Sequence, residues 1–383
     1  MTQRIANPVA IDLFSGAGGL SLGFEMAGFT VGFAVEQNPH AAATYRHNRP
    51  DTTVFQDDIR QLDPVACLRE SGLARAGVDA VICGLPCQGF SESNRRTRNL
   101  SNPRNHLYTE FLRFVTEINP WCVVVENVAG MRTMAGGVVI HRITEACERM
   151  GYSMSTFELN AADFGVPQFR RRLFIVGVRG DALEPPKPTH GIHGCPHVTV
   201  RQAIHDLPIL RSGAEADCHR YRRVPALSRY QKWTRGYGSR RHSVGGNRVT
   251  KNNAVVLERF RHVGAGQNWE AIPAYLMENH RNRSLCHTGY YYRLLWNEPS
   301  KVVGNFRKNM LIHPSQDRTL SVREAARLQS FPDRYEFLGA MHVQQQQVAD
   351  AVPPLLAKAV ADLVTRGLAR RGASSRSTRA RAA

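Results

Sequence analysis

The sequence predicts an α/β protein built on a parallel sheet, with a second, smaller domain inserted before its last helix. Five short apolar, often β-branched runs at residues 9–14, 30–35, 78–83, 121–125 and 172–178 alternate with helical patterns, the order that parallel strands joined by crossovers require. A glycine turn, Gly16-Ala17-Gly18-Gly19, follows the first run directly and opens a helix. From Glu184-Pro185-Pro186-Lys187-Pro188 onward the periodicity gives way to Gly, Pro, Arg, His and aromatic residues until about residue 318, which marks the second domain.

Each element has its own signal. The helix after Gly19 carries Leu20, Leu22, Phe24 and Met26 on its apolar side, and a second helix spans residues 107–118 and stops at Asn119-Pro120. Asp58-Ile59 follows a short strand candidate. Residues 321–330 read as helical, and 352–363 as an apolar helix with Leu355, Leu356, Ala359, Val360 and Leu363 buried, returning to the first domain. The tail, 366–383, has arginines and small residues but no acids, and is expected to be disordered in isolation.

The 383 residues suffice for a full-size core, and 42% hydrophobic content without an apolar run near the roughly 20 residues of a membrane span points to a soluble protein. No signal peptide precedes Pro8. A formal charge of +18, from 50 Lys and Arg against 32 Asp and Glu, favours polyanions, with nucleic acid the natural partner. Eight cysteines without short paired spacings indicate reduced thiols in a cytoplasmic protein. Cys67, Cys122 and Cys147 lie in apolar surroundings and read as inert core thiols. His190, His193, Cys195, His197, Cys218 and His219 match no standard zinc spacing, so no metal is expected.

Cys87 differs. It sits in Gly84-Leu85-Pro86-Cys87-Gln88-Gly89-Phe90-Ser91, a Gly/Pro loop after a strand that would expose a nucleophilic thiolate. Glu126-Asn127-Val128 answers it 39 positions downstream, again at a strand end. A thiol and a carboxyl so poised are the pair needed to attack and protonate a pyrimidine ring, and burial would keep the proton of Glu126 available. After the first predicted strand, glycines 16, 18 and 19 let backbone approach a ligand; Glu36, 20 positions after Gly16, can accept from ribose hydroxyls, and Asp58-Ile59 offers an acceptor and an apolar wall for a purine.

Taken in order, Phe14-Ser15-Gly16-Ala17-Gly18-Gly19, the Cys87 loop, Glu126-Asn127-Val128 and Gln168-Phe169-Arg170-Arg171-Arg172 resemble the DNA (cytosine-5)-methyltransferase family. Pro188-Thr189-His190, Ala203-Ile204-His205-Asp206-Leu207-Pro208 and residues 318–333 extend the likeness, which spans about residues 9–363. The resemblance implies a Rossmann-like S-adenosylmethionine-dependent methyltransferase fold: a catalytic and cofactor domain in 1–184, an inserted target-recognition domain in 185–336, and a return to the catalytic domain in 337–365. It implies methyl transfer from S-adenosylmethionine to carbon 5 of a flipped cytosine in double-stranded DNA, through a covalent Cys87 adduct at carbon 6.

In that frame Phe14 stacks on adenine, Gly16, Ala17, Gly18 and Gly19 form the cofactor loop, Glu36 and Gln37 lie at the ribose, and Asp58 and Ile59 at the adenine. Gly84, Leu107, Asp350 and Val352 complete the cofactor wall. Arg172 contacts the base and restrains Glu126, Arg170 meets a phosphate, and Pro86, Gln88, Ser91, Asn127 and Gln168 line the substrate pocket. Arg95, Arg96, Arg98 and Arg104 belong to a closing loop, and residues 235–241, Arg248, Lys251, Arg281, Arg283 and 290–293 are candidate DNA contacts. The implied partners are duplex DNA and a restriction endonuclease acting separately, and the enzyme is expected to be a monomer associated with the nucleoid. One departure stands out: the family's Gln-x-Gly-Asn-Ala/Ser-Val reads Gln347-Val348-Ala349-Asp350-Ala351-Val352 here, which replaces a donating amide by a carboxylate and predicts weaker cofactor binding. Two alternatives stay open, a tRNA cytosine-5 methyltransferase of the same fold and a catalytically silent DNA-binding regulator.

Overall fold

A computed structural model of the chain describes residues 7–86, 107–192, 194–278, 288–304, 306 and 310–381. The chain divides into two compact units, one made of Met1–Asn160, Arg171–Pro188 and Val352–Ala383, the other of Ala161–Arg170 and Thr189–Ala351.

The first unit is a seven-stranded sheet with strand order β3-β2-β1-β4-β5-β7-β6. Its strands are β1 Val9–Leu13, β2 Thr30–Val35, β3 Thr53–Phe55, β4 Ala80–Gly84, β5 Cys122–Val128, β6 Ser153–Asn160 and β7 Arg171–Val178. β1 to β5 pair in parallel, whereas β7 runs antiparallel to both β5 and β6. The five apolar runs of the sequence are the interior strands, which are covered on both faces and therefore read as continuous Val, Ile and Cys. The short strand candidate before Asp58 is β3, at one edge, and β6, which has no sequence signal, is the other. β3 has only three residues, and β6 reads Ser-Met-Ser-Thr-Phe-Glu-Leu-Asn with mostly half-buried side chains.

Five helices serve the sheet: α1 Gly19–Met26, α2 Pro39–Asn48, α3 Pro64–Glu70, α4 Leu107–Ile118 and α5 Val138–Arg149. Asn38 and Asp63 cap α2 and α3 with side-chain acceptors, each followed by proline at the first helical position. The core gathers Ile11, Leu13, Phe33, Phe111, Phe114, Val123, Val125 and Ile175, with Cys67, Cys83 and Cys147 as small apolar fillers.

The second unit contains α6 Val200–Ile204, β8 His219–Arg220, α7 Arg229–Arg235, β9 Ser243–Val244, α8 Ala254–His262, α9 Val322–Leu328 and α10 Met341–Asp350. The expected boundaries at 185 and 337 differ from these units. Residues 337–351 stay with the second unit because Gln329 of the α9 C-cap donates to Val348 O of α10 at 2.8 Å. Beside a small apolar cluster around Phe260, Tyr291 and Ile312, this unit is held by buried ion pairs. Arg327 bridges Asp206 at 2.5 Å and Asp333 at 2.7 Å, and Arg318 grips Glu324 at 2.7 Å.

The last helix, α11, runs Pro354–Arg381. It carries on through the tail expected to be disordered, whose Ala and Arg are strong helix formers and which holds no proline. Among the described residues no helix is long and apolar enough to cross a membrane.

α1 is buried along Gly19–Phe24 because it packs on α11. A Cβ at Gly23 would collide with Ala357 Cβ and stand 2.6 Å from both Lys358 N and Pro354 O. Gly23→Ala is therefore expected to destabilise the protein by about 1–3 kcal/mol, the range for forcing a methyl into a closed contact. A lowered denaturant midpoint with unchanged slope is the expected readout.

Candidate active site

At the end of β1 the chain turns at once, with Phe14, Gly16 and Gly18 at φ +56°, +54° and +84°. Gly18 is the N-cap of α1 in the left-handed region, which glycine enters without the Cβ penalty. A Cβ on Gly16 would meet nothing within 4 Å, so the residue preserves a backbone angle and an open face. Glu36, just past β2, straps this turn: its Oε2 accepts from Gly16 N–H at 2.8 Å and its Oε1 from Asn38 N–H at 2.7 Å. Asp58, past β3, caps the 3₁₀ turn Ile59–Gln61 and accepts from Arg60 N–H at 3.1 Å. The Arg60 side chain also pairs with it and holds its carboxyl below the usual range. That pair is largely solvent-facing on the Arg60 side, hence weak enough for a ligand to displace.

Behind the turn lies a network that the sequence did not reveal. Asp12 is wholly buried in β1; Ser21 of α1 donates to its Oδ2 at 2.5 Å and stands 2.6 Å from the Tyr45 hydroxyl. Burial pushes the Asp12 carboxyl up to about 7, against the opposing pull of Ser21 and Arg49. Arg49 donates to Gly18 O at 3.0 Å, pairs with Glu25 at 2.6 Å and covers the Tyr45 ring at 4.6 Å, tying the loop to α1 and α2.

The other strand ends assemble a second cluster. β4 and β5 pair with Gly84 opposite Glu126, and Leu85 N–H donates to Glu126 O at 3.3 Å. Asn127 Nδ2 donates to Leu85 O at 3.4 Å, and its own Oδ1 accepts from Val128 N–H, so the amide fastens the loop after β4. The chain continues through Pro86; Cys87, Gln88 and Ser91 lie outside the described residues, as do Arg95, Arg96, Arg98 and Arg104. Between β5 and β7, Glu126 faces Phe174 and Val128 faces Arg172, which makes Glu126 and Arg172 diagonal neighbours on one face. Arg172 Nε stands 2.9 Å from Glu126 Oε1, with only 13% and 10% of the two side chains exposed. The cation holds the carboxylate in one orientation at the mouth of the strand.

Two residues expected at the chemistry turn inward instead. Arg170 is fully buried and donates to Val303 O at 3.2 Å, Ala349 O at 2.9 Å and Ala351 O at 3.1 Å, which leaves no access for a phosphate. Gln168, also buried, donates to Leu328 O and Gln329 Oε1 and accepts from Val303 N–H at 2.7 Å. Arg170 thereby fastens the turn that holds Asp350, and Gln168 the end of α9. Asp350 itself is exposed at the C-terminal turn of α10, with Gln346 donating to both its oxygens at 2.8 and 2.9 Å. Leu107 opens α4 against the core, Ile59 is buried, and Val352 is buried in the first unit.

A family model for the C-5 cytosine-specific DNA methylase matches residues 9–366. The chain belongs to this family. It is 39% identical to the Type II methyltransferase M1.HphI of Haemophilus parahaemolyticus, over 92% of this chain and 86% of that one. It is 33% identical to M.AgeI of Thalassovita gelatinovora, over 92% and 98%. Among solved structures, a protein from E. coli proposed to be a prophage-encoded DNA modification methyltransferase aligns at TM-score 0.75 and 26% identity, covering 94% of this chain and 99% of that one.

As a DNA cytosine-5 methyltransferase the protein needs a methyl donor and a DNA substrate, and its basic residues divide accordingly. Arg235, Tyr291 and Arg293, expected at the DNA, are structural. Arg235 pairs with Asp206 at 2.6 Å, Tyr291 is wholly buried, and Arg293 donates to Val263 O, Phe260 O and His313 O. Arg281 and Arg283 lie outside the described residues. Among the described residues no group of three or more His, Cys, Asp or Glu could hold a metal ion.

The Asp12 network gives the methyltransferase a pH signature. Because the folded carboxyl holds its proton up to about 7 while the unfolded one ionises near 3.8, its stability contribution is full below pH 4 and is lost as pH rises to 7. The loss amounts to roughly 4 kcal/mol at about 1.4 kcal/mol per unit. Chemical unfolding followed from pH 4.5 to 8 is expected to show wild-type stability falling relative to that of Asp12→Asn, since the opposite pull of the buried His313, held down at about 4, is common to both proteins.

Proposed function

We propose that this methyltransferase uses S-adenosylmethionine to methylate carbon 5 of a cytosine within one short double-stranded sequence, as a Type II modification enzyme. The single observation that carries the reading is the Glu126–Arg172 pair at 2.9 Å, beside the strand end from which the Cys87 loop departs. Carbon 5 of cytosine is a poor nucleophile until a group adds at carbon 6. In the proposed mechanism Cys87 supplies that group: its thiolate bonds to carbon 6, and the displaced electron pair moves toward N3 and carbon 5. Glu126 stabilises the developing charge by a proton at N3, while Arg172 keeps the carboxyl aimed at the ring and contacts the base. Once carbon 5 has been methylated, loss of its proton and departure of the Cys87 sulfur restore the aromatic ring. The base must leave the duplex for this, at a cost of about a few kcal/mol that Pro86, Gln88 and Ser91 offset in the pocket, while the buried Asn127 holds their loop in place.

The residues of the loop fit the methyl donor. The open face over Gly16, the positive φ at Gly18 and the strapped Glu36 suit a nucleoside with a charged methionine end, with Asp58 and Ile59 toward the purine. When bound, S-adenosylmethionine supplies an electrophilic methyl group. The reading extends to a monomeric cytoplasmic enzyme on nucleoid DNA, with a cognate endonuclease acting separately.

Expression in a host lacking cytosine methylation tests the chemistry. Wild-type protein is expected to place 5-methylcytosine at one fixed sequence, and Cys87→Ser to place none while binding S-adenosylmethionine with unchanged affinity. Methylation retained by a clean Cys87→Ser preparation removes the thiol from the mechanism. Asp350 sets a carboxylate at the negative end of the α10 dipole, and the family resemblance assigns this position to the cofactor wall. Asp350→Asn is expected to tighten S-adenosylmethionine binding several-fold by calorimetry; an unchanged dissociation constant refutes a cofactor role for the substitution.

A further inference from the structure

α1 begins without local support: Gly18 at its N-cap has no side chain to cap it, and its first turn holds no acid. The turn before it is also costly to hold, since Phe14 sits at φ +56° without being glycine, and Gly16 and Gly18 keep wide conformational freedom until something fixes them. The holding groups come from α2, where Tyr45 and Arg49 stand four residues apart at the C-terminal end. The Tyr45 hydroxyl lies 2.6 Å from Ser21 Oγ, and Ser21 carries the link on to Asp12 in β1. Arg49 makes a three-point grip: Nε donates to Glu25 Oε1 at 2.6 Å, and Nη2 donates to Glu25 Oε2 at 2.9 Å and to Gly18 O at 3.0 Å. Its side chain is only 5% exposed and lies against the Tyr45 ring. Gly18 O already accepts from Leu22 N–H as the first bond of the helix, so the guanidinium takes the second lone pair of that carbonyl. With Glu36 on Gly16 N–H, the turn is held at both ends. Neither Tyr45 nor Arg49 lies in the glycine turn, the Cys87 loop or the arginine motif.

We propose that Arg49 is a positioning residue for the methyl donor: through Gly18 O it holds the glycine turn in its receptive shape before the cofactor arrives, with the Tyr45 ring as its platform. The inference rests on the reading of that turn as the S-adenosylmethionine site and adds to it the group that preorganises the turn. A turn that adopts its receptive shape only part of the time binds with an affinity lowered by that fraction, whereas the occupied enzyme is the same in either case. Loss of the grip therefore falls on affinity and leaves the chemical step alone. A planar guanidinium fork can hold a carboxylate and a carbonyl at once, which a lysine ammonium on its flexible stem does less well.

The test uses the full-length chain carrying Arg49→Lys, which keeps a charge beside Glu25, or Glu25→Gln, which removes the counter-charge of Arg49 at a side chain 30% exposed. S-adenosylmethionine binding is measured by calorimetry without DNA, amide hydrogen exchange is followed in the ligand-free protein, and turnover on duplex DNA is measured at saturating cofactor. Arg49→Lys is expected to weaken binding about tenfold and Glu25→Gln about threefold, with turnover at saturation near the wild-type rate. Exchange at residues 14–19 is expected to accelerate by similar factors while β4 and β5 keep their protection. A purely structural loss would not give that pattern, because global unfolding exposes loop and strands together. Dissociation constants within about twofold of the wild type in both variants overturn the proposal. So does weaker binding accompanied by faster exchange throughout β4 and β5. If the wild type binds no S-adenosylmethionine, the cofactor reading itself fails; the grip is then judged by exchange alone, and unchanged protection of residues 14–19 in both variants overturns it.

Discussion

Much of the first unit depends on one register constraint, the insertion of β7 antiparallel between β5 and β6. In a wholly parallel sheet the first residue of a strand lies far from the last residue of its neighbour. Reversing one strand brings Arg172, second in β7, diagonally across from Glu126 near the end of β5. The parallel pairing of β4 with β5 sets Gly84 level with the same Glu126. A carboxylate, its restraining guanidinium and the stem of the thiol loop therefore meet at one sheet end, although 46 residues separate Glu126 from Arg172 in the chain. The same end of the sheet carries the Gly16–Glu36 strap, so the loop after β1 and the carboxylate after β2 are matched by strand pairing as well.

The second unit solves a different problem. With few long elements it cannot bury a large apolar sheet, and its interior is framed by guanidinium groups. Arg327 lies between Asp206 and Asp333; burial alone would lower its pKa, but the two carboxylates outweigh that and raise it. Burial likewise would raise Glu324, yet Arg318 and the Ser321 N–H hold it at about 2. Such pairs contribute less to net stability than their geometry suggests, because desolvation offsets most of the attraction, but losing one partner leaves a bare charge inside. They act as fixed joints: Arg235 shares Asp206 with Arg327 and thereby anchors one stem of the exposed loop 236–241, and Arg323 holds Gly245 and Gly246 at the other.

This use of arginine explains where reading from sequence and the fold part ways. Net charge and the motif order pointed to nucleic acid and to a cytosine methyltransferase, and the family match bears that out. They could not say which arginines face outward. Arg170 and Arg172 are two residues apart in one motif, yet Arg170 is spent on the carbonyls of Val303, Ala349 and Ala351 while Arg172 meets Glu126. Pattern is blind to this because both are strongly hydrated in the unfolded chain, and only the packing around each decides which loses its water.

By itself the sequence determined what local composition controls: the interior strands, covered on both faces and hence continuously apolar; the glycine turn, which only residues without a Cβ adopt freely; and the order of reactive motifs. It was silent on the edge strand β6, whose side chains are mostly half solvated, and it misjudged the tail, where charge and small residues suggested disorder but Ala and Arg continue the last helix. Tertiary structure alone decided the contacts that cross the chain. Asp12 became a buried acid because Ser21, Tyr45 and the core removed its water. Asp206, Arg235 and Arg327 joined across 121 residues. Burial and partnership are properties of three-dimensional neighbours, and no local stretch of sequence carries them.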